Sequence, residues 1–152
     1  VIVPFGISAA FGPGSDKELN ADSLKILLEA LIALDIAYLR TMARKGKTIS
    51  HLYDSGVVYG RTQSWDTIPD LYLKGFGDCK SLTAAFCAQA RLRGLYCEPT
   101  FRWVVRPKDN GLDFHILVRT DGTMTLDGHR LELYHDPSKL LGMTDDAPQT
   151  LY

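Results

Sequence analysis

Three observations predict an α+β domain for this 152-residue chain. Leucines recur at helical spacing over residues 24–42, a second helical run follows Gly77-Asp78-Cys79-Lys80, and beyond Gly94 the pattern becomes short and extended. Helices first and strands afterwards predict an antiparallel sheet backed by helices, not alternating βαβ units.

Residues 1–20, with Gly12-Pro13-Gly14-Ser15, read as an N-terminal arm, and residues 21–152 as one domain. From Ala21 the apolar positions Leu24, Leu27, Leu28, Leu31, Leu34, Leu39 and Met42 predict a long core or docking helix. Asp22 or Ser23 is its expected cap, and Gly46 its end. His51 to Tyr59 reads as a helical turn and then a strand through Val57-Val58-Tyr59. Trp65 to Leu71 predicts a turn into a short helix, because Pro69 suits a first helical turn; Gly75 and Gly77 end it. The second long helix, Cys79 to Arg93, groups Leu82, Ala85, Phe86, Gln89 and Leu92, and stops at Gly94. Strands are expected at Pro99–Val105, Phe114–Arg119 and Arg130–Tyr134, joined by turns at 107–111 and Asp121-Gly122.

Seventeen basic and 18 acidic residues leave a formal charge of −1, and no block of Lys and Arg forms a nucleic-acid footprint. No apolar run approaches the roughly 18 residues that span a bilayer, so no membrane partner is expected. The opening Val1-Ile2-Val3-Pro4 lacks the basic start of a signal peptide, which predicts a cytoplasmic setting; the missing initiator Met leaves an upstream segment open. Cysteines 79, 87 and 97 form neither a C-x-x-C pair nor an even set, which suits a reducing compartment. With four histidines they show no metal-ligand spacing, so neither metal nor cofactor is expected.

The chemistry concentrates at Cys79. A thiol has a pKa near 8.5, and a helix N-terminus with a nearby imidazolium lowers it by favouring the thiolate. An exposed, activated Cys79 is the expectation. His115, inside Phe114-His115-Ile116-Leu117-Val118, is the candidate base on a strand. A third group must orient the imidazole. Asp136, where Pro137 ends a strand, is preferred over Asp127, whose Asp127-Gly128 pair also suits a turn. The Cys79 amide and the side chains of Gln63 or Trp65 are candidate oxyanion donors. Cys87 and Cys97 read as packing residues, and His129 and His135 as surface or supporting groups.

Trp65, Gly75-x-Gly77-Asp78-Cys79-Lys80-Ser81-Leu82, Arg91-Leu92-Arg93-Gly94, Phe114-His115-Ile116-Leu117-Val118, Asp121-Gly122 and Asp136-Pro137-Ser138 together resemble the transglutaminase-like cysteine enzyme superfamily. Within it they are most similar to small members from tailed phages and prophages, over residues 57–143. The resemblance implies a papain-like core with Cys79 as nucleophile, His115 as base and Asp136 as orienting acid. It also implies acyl transfer on protein amides through a thioester. Hydrolysis, as a protease or deamidase, is the favoured outcome, with protein cross-linking as one alternative. The other is a non-catalytic structural or interaction role beside a phage structural protein, in the bacterial cytoplasm or on the virion.

Overall fold

The computed structural model describes residues 17–105, 112–126 and 128–144. It is a mixed α+β structure. In chain order its elements are α1 (Lys17–Arg44), a 3-10 turn (Leu52–Asp54), β1 (Val58–Tyr59), α2 (Ile68–Lys74), β2 (Phe76–Gly77) and α3 (Cys79–Leu92). Then follow β3 (Cys97–Val105), β4 (Leu112–Thr120), β5 (Thr125–Leu126), β6 (His129–Arg130), β7 (Tyr134–His135) and α4 (Pro137–Leu140).

Helix α3 is the centre of the fold. Every residue from Cys79 through Ala90 is buried, so it has no solvent face and lies enclosed between α1, the sheet and the short elements that precede it. Ala84, Ala85 and Ala88 keep it slim enough for close approach on several sides. On α1 the buried stripe is Leu24, Leu28, Leu31 and Ile32, while Ile26 and Leu34 point to solvent. Each fully buried leucine on that stripe contributes about 1.5–3 kcal/mol relative to exposure. Two hydrogen bonds from Arg91 to Glu29, 2.6 and 2.9 Å long, fasten α1 to the end of α3.

The main sheet has the order β3-β4-β7 and is antiparallel throughout, with Arg102 opposite His115 and Val118 opposite His135. Ile116 and Val118 pack inward as part of the core. A small parallel pair, β1-β2, sets Val58 against Phe76 and Tyr59 against Gly77. Gly77 is a true close approach: a Cβ there would lie 2.5 Å from Leu71 Cδ1. Tyr59 also donates its amide to Leu141 O at 2.8 Å, so β1 links the chain before α3 to the end of α4. Among the described residues no helix is long and apolar enough to cross a membrane.

Three expectations need correction. Helix α1 is already formed at Lys17, so Asp22 and Ser23 lie inside it, and residues 17–20 belong to the helix instead of an arm. A cap residue marks a start only where the preceding residues cannot continue the helix, and Lys17-Glu18-Leu19 can. The rest of the proposed arm lies outside the described residues, as does the 107–111 turn. The single strand expected at Arg130–Tyr134 is two: β6 pairs with β5, and β7 with β4. Each two-residue piece takes a different partner, a choice made by tertiary contacts. Leu92 is also half-exposed, because the enclosure of α3 stops short of its last turn.

Candidate functional site

The start of α3 is built by local chemistry. Asp78 is extended and accepts the Lys80 amide at 3.3 Å, so it caps the helix that opens with Cys79. Lys80 turns back, fully buried, to pair with the Asp78 carboxylate and donate to Thr62 O at 2.9 Å. Ser81 Oγ accepts the Asp66 amide at 3.0 Å. These contacts lay residues 62–66 across the first turn of α3 and bring the Trp65 ring to 5.8 Å from Lys80 Nζ.

Cys79 packs with Leu28 and Ile116, and Trp65 and Phe101 close around that group. It is only 1 % exposed. Burial pushes its thiol up to about 12, and the neighbouring Asp78 carboxylate adds to the rise. A hydrogen bond from the Ile116 backbone and the Lys80 charge pull the other way without reversing it. The exposed, low-pKa thiol expected from the helix start is thus not what the fold supplies. A helix terminus stabilises charge by roughly 0.3–1 kcal/mol, whereas removing a thiolate from water costs more, and the Asp78 cap offsets the positive end.

His115 is also buried, and its Nε2 lies 2.7 Å from Asp136 Oδ2. Asp136 is itself held, because Oδ1 accepts the Ser138 amide at 3.1 Å and caps α4, with Pro137 in the first turn. One carboxylate oxygen therefore serves the helix and the other the imidazole. Behind it, the Tyr53 hydroxyl bonds His135 Nε2, and the His135 ring stacks at 4.9 Å on Phe86 of α3. That contact seats β7, and so Asp136, against the core.

Of the sequence-predicted site residues, His115 and Asp136 are brought together as a hydrogen-bonded pair. Cys79 is brought to Ile116, the next residue of β4. Trp65 lies against the Cys79 cluster, Gln63 is exposed on the same segment, and Asp127 lies outside the described residues. Cys87 and Cys97 are buried packing residues, and all three thiols are free. His129 is exposed.

No family model matches the chain, and no curated protein or solved structure matches it either.

Three contributors were not anticipated. Lys80 braces the segment over the helix start; the only sequence signal is its place two residues after a capping Asp. Tyr59 stands near the thiol: burial chiefly, with the Cys79 and Asp78 charges, pushes its hydroxyl pKa up. It is a protonated donor at neutral pH. Tyr53 supports His135 from 82 residues away, which no local pattern reveals. Chemically the arrangement offers a protonated thiol at a helix start, an imidazole with one nitrogen engaged by a carboxylate, and hydroxyl and amide donors near the sulfur.

Proposed function

We propose that Cys79, His115 and Asp136 perform cysteine-dependent acyl transfer on a protein amide, within a papain-like arrangement of helix and sheet. The observation that carries this reading is the 2.7 Å His115 Nε2–Asp136 Oδ2 bond, with the Asp136 charge also felt at the Cys79 thiol. Side chains alternate along β4, so the reading also requires His115 to be brought to the side on which Ile116 meets Cys79. Asp136 occupies Nε2, which leaves Nδ1 as the proton acceptor. Because the resting thiol is protonated, His115 acts as a general base during attack instead of holding a preformed ion pair.

Sγ bonds the amide carbonyl carbon as its proton passes to Nδ1. The tetrahedral oxyanion is met by the Cys79 backbone amide, with Tyr59, Trp65 and Gln63 as candidate side-chain donors. The C–N bond then breaks, the amine leaves with the proton from Nδ1, and a thioester remains on Cys79. Water, deprotonated by His115, releases the acid. An amine acceptor in its place would give a cross-link, and hydrolysis is favoured because water needs no tunnel of its own. Access to the sulfur requires movement of the Trp65 segment or of Leu28.

The test is acid-quenched intact-mass analysis after incubation with glutamine-containing peptides and unfolded casein. An acyl adduct on Cys79, lost in Cys79→Ala and strongly reduced in His115→Ala, is the expected result. The second reading, a non-catalytic interaction module, is favoured by the burial of Cys79. It gains if no adduct forms and iodoacetamide labels Cys79 at the same slow rate with and without His115.

A further inference from the structure

We propose that the cavity beside Asp136 is a subsite for an acidic side chain of the protein substrate, a refinement that rests on the amide reaction proposed above. The cavity, about 460 Å³, is open to solvent along the sheet. Asp136 forms part of its wall and is the same residue that holds His115. Arg102 forms another part. It stands directly opposite His115 in the β3-β4 ladder, and such partners lie side by side on one face of a sheet. A group bound there sits one side chain away from the imidazole.

The charge of the wall selects the occupant. Arg102 from β3, Arg130 from β6 and Lys139 from α4 converge on it, against Glu132 and Asp136. The Asp136 carboxylate keeps its charge, although its oxygens are turned to His115 and the Ser138 amide, so these five groups leave one net positive charge. Basic residues from three separate elements line one space although the whole chain carries a formal charge of −1. Arg130 is held in place by an Nε bond of 2.6 Å to Gly122 O. Guanidinium groups match carboxylates with paired, charge-assisted hydrogen bonds. Leu117 supplies an apolar floor for the methylenes of a glutamate. A phosphorylated side chain presents the same anionic chemistry, and the experiment separates the two.

Fluorescein-labelled hexapeptides carrying a central Glu, its Gln isostere or phosphoserine are titrated against the full chain bearing Cys79→Ala, with anisotropy as the readout. The Glu peptide should bind about tenfold or more tightly than the Gln peptide, as expected for a charge-assisted contact. Arg102→Gln and Arg130→Gln should each erase most of that difference, and Arg102→Lys should keep part of it. Each variant is first checked for a wild-type melting curve, and Arg130→Gln, on an exposed strand, decides the matter if Arg102→Gln unfolds. Equal binding of Glu and Gln peptides overturns the proposal. So does tight phosphoserine binding with no preference for Glu over Gln, which makes the occupant a phosphate. An acidic preference without any amide turnover sinks the catalytic reading alone; turnover without the preference sinks the subsite alone.

Discussion

Asp35 offers the most quantitative test of the fold. It lies on the buried face of α1, fully enclosed; Oδ1 accepts the Ile68 amide at 2.7 Å, while among the described residues Oδ2 has no hydrogen-bond partner. Burial raises its pKa from an ordinary 3.8 to about 7, and the Ile68 bond only partly opposes this. The folded protein therefore holds the proton more tightly than the unfolded chain does. The stability this contributes is fully present below about pH 3.8 and is lost as the pH rises through about 7. Moving a carboxyl pKa over that interval corresponds to about 4 kcal/mol against the ionised fold. Asp35→Asn keeps an acceptor for Ile68 and removes the charge. Urea unfolding between pH 5 and 8.5 should find the variant no more stable than wild type at the acid end, where its extra amide donors are unpaired. At the alkaline end it should be about 2–3 kcal/mol more stable, because part of the wild-type penalty is already present at pH 5. Asp78 shifts in the same direction and Glu29 in the other, but both are common to the two proteins, so the difference between the curves isolates Asp35. Curves that run parallel across the range, without crossing, would refute the reasoning.

Lys80→Met should cost about 3–5 kcal/mol by stranding the buried Asp78 carboxylate, and adding Asp78→Asn should recover much of the loss; calorimetric melts of the single and double variants decide it. Gly77→Ala forces a methyl into Leu71 and should destabilise by about 1–3 kcal/mol, measured by urea midpoint, with relief when Leu71 is shortened to Ala only if the clash is the cause. Asp136→Asn retains an oxygen for the Ser138 cap but presents an amide where His115 needs an acceptor. It should lower turnover by about 10²–10⁴-fold with a small change in melting temperature, whereas Asp127→Asn should do far less. The reverse order would move the orienting role to Asp127.

Punctuation residues made much of this fold legible. Gly75 takes a left-handed conformation at the end of α2, Pro69 sits in that helix's first turn, and Gly94 follows α3 as expected. His115 and Asp136 could be paired in advance because a strand and a proline-terminated exit place an imidazole and a carboxylate at one rim. What was not legible depends on partners distant in sequence. The cover over Cys79 comes from Leu28, 51 positions away, so the local motif promises an open thiol that the tertiary structure encloses. Similarly, the 130–134 stretch looks like one strand until β5 and β4 compete for its two ends. The burial of Lys80 could not be read from its neighbours, because nothing in them points to Thr62 O. Asp35 passes unnoticed inside an apolar stripe for the same reason.

The enclosure of α3 has a consequence for how the molecule breathes. Twelve successive buried residues belong to the most protected unit of the chain, and their helix-bonded amides should exchange with deuterium only through global opening. Asp136, by contrast, sits between a two-residue strand and a four-residue helix, pieces of the kind that open locally at small cost. The sulfur and the carboxylate therefore belong to opposite ends of the exchange hierarchy. Deuterium should reach the β7–α4 segment around Asp136 well before it reaches the helix that opens with Cys79.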